Sequence, residues 1–187
     1  MLPGLIMAAR KGDDALLRVI LAEFSREGFL IEGAHEAKSD LTIRAGALGS
    51  CSPQPQHMAD IARALLVARK IGELDIGQGA VVCDGLVLAV EAQEGTDAML
   101  RRVANEIPVA IRGQPGAYRG VLAKAPKPIQ ETRVDMPTIG LATVQRAAAA
   151  GLAGIVGEAG RLLVLDRDQV VELANDLGLF IYGVERE

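Results

Sequence analysis

Two apolar runs, Ala80-Val81-Val82-Cys83 and Leu86-Val87-Leu88-Ala89-Val90, are separated only by Asp84-Gly85. Asp and Gly accept the positive φ that a two-residue type I′ turn requires, so this segment predicts a β-hairpin. An antiparallel pair constrains the whole fold, because any sheet that contains it is mixed or antiparallel and never purely parallel. Elsewhere strands and helices alternate. Asp13 and Asp14 precede apolar residues at helical spacing and Gly28 follows them, which predicts a helix over 13–27. A short strand is expected at 29–32, and the Ser, Gly, Pro and Gln of 39–56 read as a linker. A second helix is expected at 58–71, stopped by Gly72. Thr96 suits an N-cap, with Asp97 in the first turn, for a helix to about 103. Then come a strand at 120–124, a helix at 141–150 and a strand pair at 153–156 and 162–165. Asp166 would cap a helix to 177, and 179–182 forms a last strand. The fold class is therefore α/β or α+β, with a mixed sheet and helices.

The 187 residues fit one ordinary domain, or a small one with part of another. With three Phe, two Tyr and no Trp, the core has to be built from Leu, Val, Ile and Ala. A net charge of -4 argues against nucleic-acid binding through a basic face, and so few rings leave no stacking platform for bases. Cys51 and Cys83 form no C-x-x-C, and His35 and His57 lack zinc-site spacing, so all four read as structural or surface residues. The opening has no charged and apolar leader pattern, and the longest apolar stretch, 147–157, is shorter than a membrane span needs, so the expectation is a cytoplasmic protein.

Chemistry concentrates in three polar stretches at predicted strand ends or helix starts. These are Asp75-Ile76-Gly77-Gln78, Glu91-Ala92-Gln93-Glu94-Gly95-Thr96-Asp97, and the segment from Lys124 to Gly140. The third sets Lys124, Lys127 and Arg133 beside Asp135 and runs into a predicted helix start at Pro137-Thr138, where free amides favour anions. Cations at a helix start suit a phosphate or diphosphate. A carboxylate among them suits a Mg²⁺ ligand or a base that orients water. The same residues also suit plainer roles: Thr96 and Thr138 as N-caps, the three cations as a solvated loop, and Asp135 as a partner of Arg133. Residue types alone support a phosphate-handling α/β domain.

Those stretches, with Gly151-Leu152-Ala153-Gly154-Ile155 and, upstream, Lys11-Gly12-Asp13-Asp14 and Gly33-Ala34-His35-Glu36, closely resemble the LpxI-type UDP-2,3-diacylglucosamine pyrophosphatases over essentially the whole chain. The resemblance implies Mg²⁺-dependent hydrolysis of the diphosphate of a UDP-linked diacylated glucosamine. The products would be UMP and 2,3-diacylglucosamine 1-phosphate, lipid X, in lipid A biosynthesis of Gram-negative bacteria at the cytoplasmic face of the inner membrane. It places the family's essential aspartate on Asp135, as catalytic residue and metal ligand, with Asp97, Glu94 and Asp75 as further metal ligands. Gln78, Thr96, Lys124, Lys127, Gln130, Arg133 and Thr138 fall at the substrate phosphates. Family members open with a glycine-rich Rossmann-like half that this sequence lacks, so 1–50 reads as the remnant of that domain with its linker, and 55–187 as the C-terminal catalytic domain. Partners implied are the lipid substrate and its products, peripheral contact with the inner membrane, and an oligomer. The alternative is a nucleotide- or lipid-binding module without turnover.

Overall fold

Alternating helices and strands make up the computed structural model, which describes residues 13–128, 131 and 133–185. The described residues begin with α1 (Asp13–Arg26) and the single turn α2 (Ala34–Ala37), followed by β1 (Gly46–Ala47) and α3 (Met58–Glu73). The hairpin strands β2 (Gly79–Cys83) and β3 (Leu86–Val90) lead into α4 (Gly95–Glu106). Then come β4 (Val121–Lys124), β5 (Thr138–Ile139), α5 (Leu141–Ala149), β6 (Gly154–Glu158), β7 (Leu163–Val164), α6 (Arg167–Leu177) and β8 (Phe180–Val184).

The expected hairpin is present, with Asp84 at φ 48° and Gly85 at φ 75°. It forms one edge of a six-stranded mixed sheet of order β1-β8-β6-β4-β2-β3. The central strands β4, β6 and β8 are parallel, and β2 runs against β4. Central strands covered on both faces read as apolar runs, and β4 and β6 are buried at every position, with a charged residue, Lys124 or Glu158, only at the last one. Their alternation divides the core. Leu122, Ile155 and Ile181 face a cluster with Met99, Leu100 and Val103 of α4, Val144 and Ala147 of α5, and Val170 and Ala174 of α6. Val121, Ala123, Val156 and Phe180 face Ile61, Ala64 and Leu65 of α3. One face thus carries three helices and the other a single one.

Several expectations change. No strand forms at 29–32: Gly28, at φ 89°, ends α1, and the Phe29 amide turns back to the Phe24 carbonyl at 3.0 Å, so this backbone closes a helix end instead of joining a sheet. Part of the expected linker is built into the sheet, because Gly46 and Ala47 pair with Gly183 and Tyr182 while Ile43 is fully buried. Gly72 does not stop α3, which runs on to Glu73. The strands at 154–158 and 163–164 do not pair with each other: β6 is hydrogen-bonded on both sides by β4 and β8, which leaves β7 to pair with β5 in a separate two-stranded ribbon. Asp166 does precede α6, but at φ 49° its side chain makes no capping bond. Among the described residues no helix is long and apolar enough to cross a membrane.

A buried carboxylate fastens the hairpin to α3. Asp60, 4% exposed, accepts the Asp84 amide at 2.9 Å and the Gly85 amide at 2.7 Å, and Asp84 in turn pairs with Arg119. Asp60→Ala leaves both amides of the turn without their acceptor, and the expected loss is about 3 kcal/mol of unfolding free energy. Urea denaturation should show a lower midpoint at unchanged slope, and an unshifted midpoint would contradict the role of this clamp.

Candidate active site

The parallel strand β4 ends on a lysine. Its run Val121-Leu122-Ala123 is apolar, and Lys124, the next position, points to the three-helix face in the same alternation that turns Leu122 there. Because β2 runs the other way, its first residue, Gly79, lies directly opposite Lys124. On the far side of Gly79 the Glu91 amide donates to the Gly79 carbonyl at 2.8 Å. Three strand ends thus meet at one edge of the sheet, with a glycine between a lysine and a glutamate.

Lys124 is 5% exposed and Glu91 6%. The Lys124 ammonium donates to the Thr96 hydroxyl at 2.8 Å and to the Thr138 carbonyl at 3.2 Å. Thr96 Oγ1 in turn donates to Glu91 Oε2 at 2.9 Å. Burial lowers the Lys124 pKa from its ordinary value, and the carboxylates of Glu91, Asp97 and Asp135 act against that shift by favouring the charged form. Asp97, in the first turn of α4, is also paired with Arg146 of α5 at 3.2 Å, which joins the two helices above the site. Asp135 sits in the loop between β4 and β5, and its amide donates to the Glu131 carbonyl at 2.9 Å.

The structure brings Lys124, Thr96, Thr138, Asp97 and Asp135 together and disposes the other candidates differently. Asp75, at φ 55°, pairs with Lys127 at 2.7 Å beside the end of α3. Glu94 pairs with Arg102 at 2.8 Å along α4, and a bond from its own backbone amide, followed by that from Arg102, holds its carboxyl below the usual range. Arg133 grips Glu131 through two bonds of 2.9 Å, Nε to Oε1 and Nη2 to Oε2, and this pairing holds the Glu131 carboxyl down to about 2. The Gln78 carbonyl accepts the Ala125 amide at 2.9 Å, which places Gln78 next to β4. Gln130 lies outside the described residues.

Both threonines act otherwise than expected. Glu94, not Thr96, stands at the N-cap position of α4, without a side-chain capping bond, and the Thr96 hydroxyl instead joins Glu91 to Lys124. Thr138 starts no helix: it lies in β5, its hydroxyl donates to the Met136 carbonyl at 2.9 Å, and α5 begins after Gly140. It is the Thr138 backbone that serves the lysine. Glu91 is the residue that sequence reasoning missed. The signal was a carboxylate directly after an apolar strand, opposite a G-x-G, and it acquires meaning only through strand register.

Comparison with known proteins places these residues in context. The LpxI C-terminal domain family matches residues 44–182, a span that holds the whole constellation around Lys124. A relative from Caulobacter vibrioides, described as UDP-2,3-diacylglucosamine pyrophosphatase LpxI, is 72% identical over 184 residues. That alignment takes in 98% of this chain and 65% of the relative, so the chain spans less than two thirds of the relative's length. With most of the chain inside the family's C-terminal domain and near-complete alignment to this relative, the chain belongs to the LpxI family.

Proposed function

We propose that the chain hydrolyses the diphosphate of a UDP-linked diacylated glucosamine to UMP and 2,3-diacylglucosamine 1-phosphate, a step of lipid A biosynthesis carried out at the cytoplasmic face of the inner membrane. The observation that carries the reading is the buried Lys124 ammonium, held by Thr96 and the Thr138 carbonyl beside the carboxylates of Asp97 and Asp135. The name of the Caulobacter vibrioides relative supports the choice of substrate.

In this reading two of the three Lys124 N–H donors hold the ammonium in place, and the third, which has no partner among the described residues, meets a phosphoryl oxygen. A cation already fixed in a water-poor setting stabilises charge that builds on the phosphate during P–O cleavage without reorganising at that moment. Asp135 orients the attacking water on the leaving-group-opposed side of the phosphorus. Lys127 and Arg133, paired with Asp75 and Glu131, would have to exchange those partners to reach the same diphosphate from the β4–β5 loop. Asp97 and Asp135 are hard oxygen donors acting on one ammonium, which fits Mg²⁺, an ion that needs only one or two carboxylates when phosphate oxygens complete its shell. Bound there, Mg²⁺ supplies charge neutralisation at the diphosphate. Asp75 and Glu94, which are not among the carboxylates acting on the Lys124 ammonium, fit that role less well.

UMP release from the UDP-lipid is expected from the wild-type chain with Mg²⁺, and a chelator should abolish it. Asp135→Ala and Lys124→Met should each lower kcat/KM by about 100-fold or more. Thermal melts of the same preparations separate lost chemistry from lost folding, because removing Lys124 strands the buried Glu91. Activity unchanged in folded Asp135→Ala would overturn that residue's assignment. UMP binding without hydrolysis in the wild type would favour a binding module.

Arg133 gives a second, chemically separate test. Arg133→Ala should let the Glu131 carboxyl rise from about 2 toward its ordinary 4.5, read by carboxyl-carbon NMR titration. The sign follows from the depressed folded-state value: the pair's contribution to stability is present above pH 4.5 and is lost as the pH falls toward about 2. An unshifted titration would remove Arg133 as its cause.

A further inference from the structure

The proposed reaction gives no role to Glu91, a buried ionisable group of this edge beside Lys124. Glu91 is 6% exposed, follows β3 directly and makes no described contact with the cations of the β4–β5 loop. Its Oε2 instead accepts the Thr96 hydroxyl at 2.9 Å, and the same hydroxyl oxygen accepts from Lys124 Nζ at 2.8 Å. The polarity of this chain is forced. A carboxylate only accepts and an ammonium only donates, so the single Thr96 proton has to point at Glu91 and its lone pair at Lys124.

The backbone is shaped to admit that carboxylate. A Cβ on Gly79 would stand 2.4 Å from Glu91 Oε2, and a Cβ on Gly77 would stand 2.0 Å from the Glu91 carbonyl oxygen. Gly79 is paired with Lys124, so the missing side chain opens a slot between the lysine and the glutamate.

We infer that Glu91 is the positioning residue of this site: through the Thr96 hydroxyl it fixes the Lys124 ammonium so that the remaining N–H faces the phosphate of the ligand. This rests on the reading above that Lys124 meets phosphate. Glu91 itself touches no substrate. Its effect is carried by a hydroxyl whose orientation it sets.

The experiment compares the wild type with Glu91→Ala, Thr96→Val, the double variant Glu91→Ala/Thr96→Val, Thr96→Ser and Gly79→Ala. UMP release is measured as separate kcat and KM, and UMP affinity is measured by calorimetry, which needs no turnover. Glu91→Ala and Thr96→Val should each lower kcat/KM by about tenfold to a hundredfold. The double variant should be no worse than either single one, because both break the same chain of bonds. Thr96→Ser, which keeps the hydroxyl, should restore most of the loss. Gly79→Ala puts a Cβ 2.4 Å from Glu91 Oε2 and so pushes that carboxylate off the Thr96 hydroxyl; where its melt shows it folded, it should show the Glu91 defect.

If the wild type turns over and folded Glu91→Ala and Gly79→Ala match it in kcat, KM and UMP affinity, the inference fails while the proposed function stands. A wild type that binds UMP without turnover removes the proposed function, and the relay then stands or falls on whether Glu91→Ala weakens UMP binding. Additive losses in the double variant, or no rescue by Thr96→Ser, overturn the relay. A wild type with neither turnover nor UMP binding overturns both readings.

Discussion

Placing a lysine where only a twentieth of the residue meets solvent is the constraint around which this edge of the protein is organised. A lysine left alone there would give up its proton, because burial disfavours the charged form. Here burial does pull its pKa down, and three carboxylates, a hydroxyl and a carbonyl converge to oppose it. Those groups come from β3, α4, the β4–β5 loop and β5, so satisfying one charge ties together four parts of the chain.

The sheet makes that convergence possible because β2 runs against both of its neighbours. The parallel strands β4, β6 and β8 follow the general pattern in which ligands sit beyond carboxyl ends of strands. The antiparallel hairpin brings the start of β2 and the end of β3 to that same edge. A fully parallel sheet would have kept Glu91 at this edge but sent Gly79, and the slot it leaves open, to the opposite one. The turn at Asp84-Gly85, fastened by Asp60, is therefore as much a part of the site as the polar residues are.

Much of this was legible in the sequence, and the reasons differ by element. The hairpin and the helices α3 to α6 follow from turn chemistry and apolar spacing, which act over a few residues and survive packing. The expected strand at 29–32 was lost because a helix-closing bond claimed its backbone, and β1 went unread because a two-residue strand has no periodicity to detect. In the candidate site, Lys124, Asp97 and Asp135 were legible as chemistry. The N-cap roles of Thr96 and Thr138 were reasonable local readings: a lysine 28 residues away claimed the Thr96 hydroxyl, and strand pairing with a bond to the Met136 carbonyl claimed Thr138.

By itself the sequence determined the class of fold, the family motifs and the three stretches in which charged residues gather. It did so because propensity, turn preference and motif order are properties of neighbouring residues. Only the tertiary structure decided which of those charges act together. Asp75, Glu94 and Arg133 are each engaged in a pair of their own, with Lys127, Arg102 and Glu131, while Glu91 comes within reach of Lys124 through Thr96. Electrostatic interaction depends on distance through space, and across a sheet that distance is set by strand register, which no single stretch of sequence contains.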